Sequence, residues 1–223
     1  MDLATYQSLY KDNDATPGWT AIDEQLQKIY GTTEPLVHWA TAHKYMLGGP
    51  DPLDGVSVYA ATAGDVPHWH FVTYGFTSLY YDEESIETPF SGSGFELTFR
   101  LKPRAGWTVD ADSTWVVGLL QNIARYIFSS NKWFEPFHWM PANGPIKLED
   151  DTLVHGLIFI EDPEMPLINT PHGTVQFLQM VGITAHETEL IKEKKVTAAE
   201  VVARLQQTSP YLLCDLDRKT SVV

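Results

Sequence analysis

The chain has 223 residues, 43% of them apolar, which is enough to build a sizeable core and excludes global disorder. Its 29 acidic and 15 basic side chains leave a net charge of −14, a surface that repels phosphate backbones and attracts basic partners, so direct nucleic-acid binding is not expected. The single cysteine, Cys214, excludes an internal disulfide framework, Met1-Asp2-Leu3 opens no signal peptide, and no run reaches the roughly 20 apolar residues of a membrane span. A cytoplasmic protein off the membrane is expected.

In chain order, residues 17–30 read as a helix. Thr16 stands at the N-cap, Pro17 at the first turn and Gly31 at the end, with Ile22, Leu26, Ile29 and Tyr30 on one face. A short strand follows over 36–41. Gly48-Gly49-Pro50-Asp51-Pro52-Leu53-Asp54-Gly55 then reads as a turn-rich loop. Val56, Val58 and Ala60 alternate as in a strand, and 69–76 is aromatic and β-branched, also a strand. Phe90-Ser91-Gly92-Ser93-Gly94 reads as a flexible loop. Beyond it, Phe95, Leu97, Phe99 and Leu101 point one way and Glu96, Thr98, Arg100 and Lys102 the other, a strand with one core face and one wet or paired face.

Val116, Leu119, Leu120, Ile123 and Ile127 predict a helix over about 113–129, capped by Asp112 or Ser113. Residues 129–150 read as loop-rich. The runs 153–160 and 175–183 are apolar on both faces, as in central strands. Thr184 with Glu187 and Thr197 with Glu200 spell two capping boxes, the second opening a helix that turns Val201, Val202 and Leu205 inward. Residues 211–216 are expected to close the sheet as a last strand, with Cys214 a small buried residue. The expected architecture is one α+β domain over 1–223, a mixed, twisted β-sheet with helices packed on it.

Chemistry-bearing constellations are few. His68 and His70 share a strand face and could both reach one zinc, but a site would need further ligands from His38, His43, His138 or His155, and there is no HExxH and no cysteine cluster. Neither a metal nor another cofactor is expected. The glycine loop lacks the Lys-Ser/Thr of a phosphate-binding loop, and its Asp51 and Asp54 read as turn-fixing carboxylates that bond nearby amides. Ser91 and Ser93 form no nucleophile elbow, so no catalytic residue is assigned. Aromatics gather near turns at Tyr80, Tyr81, Phe90, Trp133, Phe134 and Phe137. Tyr80 to Ser93 combines rings with Asp82, Glu83, Glu84 and Glu87, and Tyr80, Tyr81, Asp82, Glu83, Glu84 and Phe90 are the expected partner-binding residues.

Colinear motifs then point to a family. They are Lys44-Tyr45 with Leu47-Gly48-Gly49-Pro50-Asp51-Pro52-Leu53-Asp54, His68-Trp69-His70, Leu79-Tyr80, Gly94 to Leu101 and Ala124-Arg125-Tyr126 with Phe128. Glu161-Asp162-Pro163, Thr170-Pro171 with Gly173, Phe177-Leu178-Gln179, Val181-Gly182, and Asp215 with Arg218 follow. Running from about residue 16 to 220, they resemble the suppressor of fused family. The resemblance implies the N-terminal α+β domain of the eukaryotic proteins, which restrain Gli-type transcription factors by clamping a peptide between two domains, partly by strand addition, and carry no enzymatic activity. Gly48, Gly49, Pro50, Asp51, Pro52, Asp54, His68, Trp69 and His70 are expected to be structural members of the motif. Tyr80 matches a tyrosine lining the peptide site, and Phe90 stands in for a nearby aromatic. The segment between Tyr80 and Gly94 is shorter than in the eukaryotic members, and the sequence stops before the second domain. The resemblance is thus to stand-alone bacterial-type members, some of which act as immunity proteins against secreted toxins. The leading expectation is a non-catalytic binding module, an immunity protein silencing a basic toxin. The alternatives are a peptide-capturing regulator acting by strand addition and a metal-dependent hydrolase built on His68 and His70 with Asp51 or Asp54 as base.

Overall fold

The structure is a computed structural model that describes residues 1–10 and 14–223. The elements run α1 (Leu3–Leu9), α2 (Pro17–Tyr30), β1 (Val37–Ala40), a 3-10 turn (Tyr45–Leu47), β2 (Gly55–Ala63), β3 (Val66–Tyr74), β4 (Phe90–Leu101), α3 (Val109–Asp112) and α4 (Thr114–Ser130). They continue with β5 (Trp139–Pro141), β6 (Val154–Glu161), β7 (Ile168–Thr170), β8 (Gly173–Thr184), α5 (Ala185–Lys192) and α6 (Ala198–Gln206). Among the described residues the strands form one mixed sheet in the order β1-β2-β3-β4-β8-β6-β5, with β7 pairing the start of β8. All neighbours are antiparallel except β4 and β8, which run parallel from Phe95 opposite Gln176 to Phe99 opposite Met180.

Helices cover both faces. The alternation in β4 sends Phe95, Leu97, Phe99 and Leu101 toward α4, where they meet Val116, Leu120, Ile123 and Ile127 in the largest apolar cluster. Trp115 meets Phe99 edge-on, with ring centres 6.0 Å apart. On the opposite face α2 packs Ile22 and Leu26 over Val72, Tyr74 and Phe177, while α5 and α6 pack Ile191, Val201, Val202 and Leu205 over Ile158, Ile160, Val181 and Ile183. Strands β6 and β8 therefore carry apolar residues on both faces because helices cover both faces, as their unbroken apolar runs predict.

Both expected capping boxes close, with the Thr184 and Thr197 side chains accepting from the Glu187 and Glu200 amides and the glutamates reaching back. The other two caps differ from expectation. Thr16 makes no side-chain cap bond, and α2 begins on Pro17 and ends on Gly31 at φ 72°. Ser113 makes no side-chain cap bond either, because its hydroxyl accepts from the Trp39 indole at 3.2 Å and α3 leads directly into α4. Asp112 instead turns back to the Thr108 amide at 2.8 Å.

Three segments correct the sequence reading more substantially. Phe90–Gly94 is not a loop but the first part of β4. Phe90 lies opposite Thr174, Ser91 is fully buried, and the register shifts between Phe90 and Phe95 around Gly92 and Gly94, whose φ of 52° and 82° suit glycine. Residues 211–216 form no strand: a single bridge joins Cys214 to Leu101, and the Gln179 side-chain amide takes the carbonyls of Tyr211 and Leu212. The third is α1, a helix without a predicted counterpart, which buries Tyr6 completely. Cys214 is buried, as expected, and burial pushes its thiol up to about 12. No helix is long and apolar enough to cross a membrane among the described residues.

Candidate protein-interaction site

The histidine motif does not open onto a site. His68 and His70 on β3 lie on the sheet face away from α4, and the register sets His70 opposite Arg100 of β4. Arg100 is fully buried. It donates to Asp162 at 2.8 Å, to Gln179 at 3.2 Å and to the His68 Nε2 at 3.1 Å, and pairs with Glu164 at 2.7 Å. Asp162, in the turn after β6, also meets His70 Nε2 at 3.1 Å and accepts from the Thr98 hydroxyl at 2.6 Å and from the amides of Glu164 and Met165.

These contacts assign the ring protons. Guanidinium only donates, so His68 Nε2 accepts. Ionised Asp162 only accepts, so His70 carries its proton on Nε2 and its Nδ1 accepts from the Tyr30 hydroxyl at 2.6 Å. Burial, reinforced by the Arg100 charge, pushes both histidines down to about 4 and so keeps them neutral. Burial works against the Asp162 carboxylate, but the His70 hydrogen bond, the Arg100 guanidinium and the Thr98 hydroxyl outweigh it and hold the group well below the usual range. The ring nitrogens of both histidines have protein partners. Among the described residues no three His, Cys, Asp or Glu side chains converge as a metal site. The hydrolase reading thus lacks its geometry, and His68, His70, Thr98, Arg100, Asp162 and Gln179 tie β3, β4, β8 and the turn after β6 together.

The glycine loop is likewise held from outside. Its Leu53 amide donates to Gln121 of α4 and its Leu53 carbonyl accepts from the same side chain at 3.1 Å. Asp51 pairs with Arg125 of α4, not with the neighbouring amides expected of it. The 3-10 turn ends on Gly48 at φ 88°, and a side chain on Gly49 would sit 1.9 Å from the His43 carbonyl. The loop thereby presents Asp54 beside the Tyr80 hydroxyl, which also accepts from Lys44 Nζ at 2.7 Å.

Tyr80 is delivered by a segment fastened from two sides. Below it, the fully buried Glu96 of β4 accepts from the Gly75 and Thr77 amides at 3.1 and 3.0 Å and from the Thr77 and Thr73 hydroxyls at 2.7 and 2.6 Å. Beside it, the Gly18 amide of α2 donates to the Leu79 carbonyl, and the Tyr81 amide donates to that of Ala15. Tyr6 of α1 stacks on Tyr81 with centres 5.0 Å apart, and its hydroxyl accepts from the Asp82 amide.

The result is an open pocket of about 360 Å³ between this segment, the glycine loop and α4, lined by the rings of Tyr45, Tyr80, Tyr81 and Phe128 and the carboxylates of Asp54 and Asp82. The structure brings Tyr80, Tyr81 and Asp82 together there. Glu83 and Glu84 stand exposed on the adjoining turn, Glu83 held by Gln7 at 2.9 Å and by the Tyr81 hydroxyl at 2.5 Å. Phe90 is 63% exposed but lies against Gly94 and does not line the pocket. The structure adds Tyr45, Phe128 and Asp54 to the pocket and Lys44 beside it. All four lie in the motifs of the resemblance, which was the one signal that could have marked them.

An α+β sheet whose motif residues serve the frame, with its open pocket built where two of those motifs meet, defines the class of protein. The chain belongs to the suppressor of fused family, whose profile, described as Suppressor of fused protein (SUFU), matches residues 49–219. It is 33% identical to the human Suppressor of fused homolog over 218 residues, covering 92% of this chain and 44% of that protein. Among solved structures it resembles one described as the Sufu-Fu complex, with TM-score 0.83, 31% identity and 93% of both chains covered. It also resembles Drosophila Suppressor of Fused, with TM-score 0.80, 31% identity, 93% of this chain and 51% of the other covered. The chain thus spans less than half the length of the human relative it matches.

Proposed function

We propose that this chain is a non-catalytic protein-binding module whose Tyr80 pocket receives a basic side chain of a protein partner, and that in its biological role it neutralises a basic toxin as an immunity protein. The observation that carries the pocket reading is the company of four aromatic rings and two carboxylates around one opening. Ring faces attract cations, and carboxylates add charge where water is partly excluded. Lys44 illustrates the preference from within the molecule, its Nζ standing 4.1 Å from the centre of the Tyr80 ring. The net charge of −14 supports the choice of partner, since an acidic surface speeds encounter with a basic protein. The Sufu-Fu complex shows a relative in company with another protein, which supports a partner-binding role here.

The test is capture from lysate of the source organism at low and at physiological salt, read by mass spectrometry and repeated with Tyr80→Ala. One basic, near-stoichiometric partner, weakened by salt and by the substitution, is expected. A partner that is acidic, or that binds the variant equally well, refutes the pocket reading. Turnover of a substrate by the purified protein, abolished in Asp51→Ala, refutes the non-catalytic one.

A further inference from the structure

A second concave region differs in character from the Tyr80 pocket. Leaving α4, the chain turns at Asn131, in the left-handed region at φ 52°, and runs to β5. Phe134 anchors this run, stacked on Phe159 with ring centres 3.7 Å apart. Two backbone bonds add to the anchor, from the Phe137 amide to the Phe159 carbonyl at 2.7 Å and from the Phe159 amide to the His138 carbonyl at 2.9 Å. Held this firmly, the run still leaves its other large rings outside, Trp133 63% and Phe137 49% exposed, and Tyr126 on the neighbouring end of α4 is 39% exposed. Phe137 has φ 67°, an unfavourable conformation for an aromatic residue that persists only where its surroundings enforce it. Tyr126, Trp133, Phe137 and Trp139 line one cavity of about 630 Å³. A cluster of large exposed rings in a concavity is unusual on a surface with no partner.

Its charges run against those of the molecule. Arg100, Lys102, Arg104, Arg125, Lys147, Lys192, Lys195, Arg218 and Lys219 each pair with a carboxylate. Lys28, Lys44, Lys132, Lys194 and Arg204 have no ion-pair partner among the described residues, and two of these five, Lys132 and Lys194, border this region. Lys132 lines the main cavity with its Nζ 5.8 Å from the Tyr126 ring centre, and Lys194 lines the adjoining hollow that shares Phe137 and Trp139. The only acid in the lining is Glu135, which already accepts from the Trp133 indole at 3.2 Å and stands 3.8 Å from His138. On a chain with 29 acids and 15 bases, a groove of aromatics edged by unpaired lysines complements a ligand of opposite design.

We propose that this groove binds an acidic segment of a protein partner, whose apolar side chains pack against Trp133 and Phe137 and whose carboxylates meet Lys132 and Lys194. The proposal is independent of the Tyr80 pocket. The probe is a phage-displayed random dodecapeptide library selected on the full chain and counter-selected on a Trp133→Ala/Lys132→Glu protein, both residues being exposed and outside the core. Clones that survive counter-selection are expected to be rich in Asp and Glu with at least one aromatic or large aliphatic residue. Synthesised as free peptides, they are expected to bind at least tenfold more weakly to Lys132→Glu/Lys194→Glu and unchanged to Tyr80→Ala. Three outcomes overturn the proposal: no surviving clones, survivors without acidic excess, or sedimentation showing a self-association that Trp133→Ala abolishes, which would make a second copy of the chain the occupant.

Discussion

Replacing Glu96 by Gln perturbs a carboxylate that is buried without a cation. Asp162 and Glu187 are also buried, but Arg100 and Arg218 neutralise them. Glu96 has only its four hydrogen-bond donors. Burial pushes its pKa from 4.5 up to about 7, and the bonds from Thr73, Thr77 and Gly75 keep it from rising further. The folded chain therefore holds a proton on Glu96 that the unfolded chain releases between pH 4.5 and about 7. The contribution of Glu96 to stability is greatest below that window, falls as pH rises through it and is level above it. At about 1.4 kcal/mol per pKa unit, the loss between about pH 5 and about pH 8 is roughly 2.5 kcal/mol. Gln does not titrate. Its oxygen can serve the Gly75 and Thr77 donors, while its amide group must meet the Thr73 hydroxyl as donor, at a pH-independent cost of about 1 kcal/mol. The assay is urea unfolding of both proteins across this range, followed by far-UV circular dichroism. Subtracting the Gln variant removes the titrations of His68 and His70, which both proteins share. The wild-type minus variant difference should shift against the wild type by roughly 2.5 kcal/mol from about pH 5 to about pH 8. A difference that stays level to within about 0.5 kcal/mol would refute the argument that burial outweighs the four donors at Glu96.

Two further outcomes follow from the frame. Asp162→Ala removes the carboxylate partner of the fully buried His70 and Thr98 and leaves Arg100 with Glu164 as its ion-pair partner, and should cost about 3 to 5 kcal/mol in urea unfolding. A loss under about 1 kcal/mol would mean that the network is not structural. Leu97→Asp places a charge against α4 at a position with no exposed surface and should leave the chain unfolded at room temperature by circular dichroism. A wild-type melt for that variant would misplace the inner face of β4.

Much of the frame was legible in residue order because its signals are short-ranged. Two-residue alternation gave the inward face of β4, four-residue spacing gave α2 and α4, and threonine–glutamate spacing gave the caps of α5 and α6, each within a dozen residues of chain. The resemblance added what periodicity lacks, and its motifs from Lys44 to Tyr80 contain Tyr45, Pro52, Asp54, Leu79 and Tyr80 of the pocket lining. Other features depended on partners far away in sequence. The polar face of β4 could be wet or paired, and nothing near Glu96, Thr98 or Arg100 says that all three are fully buried. Their partners lie on β3 and just beyond it at Gly75 and Thr77, on β8 and in the turn after β6, up to 79 residues away for Gln179. The sheet order brings them together by setting β4 parallel to β8 between β3 and β6. Phe90–Gly94 has the composition of a loop and becomes strand because Thr174 and the 76–78 segment supply hydrogen-bond partners. Tyr211–Leu216 has the composition of a strand and remains irregular because the Gln179 side chain takes two of its carbonyls. Residue order therefore determined which segments could be helix or strand and which way their apolar faces point. Tertiary structure decided which polar groups are buried and which rings stay outside, because a buried charge or backbone group is tolerated only where the fold supplies its partner, and that partner is rarely a sequence neighbour.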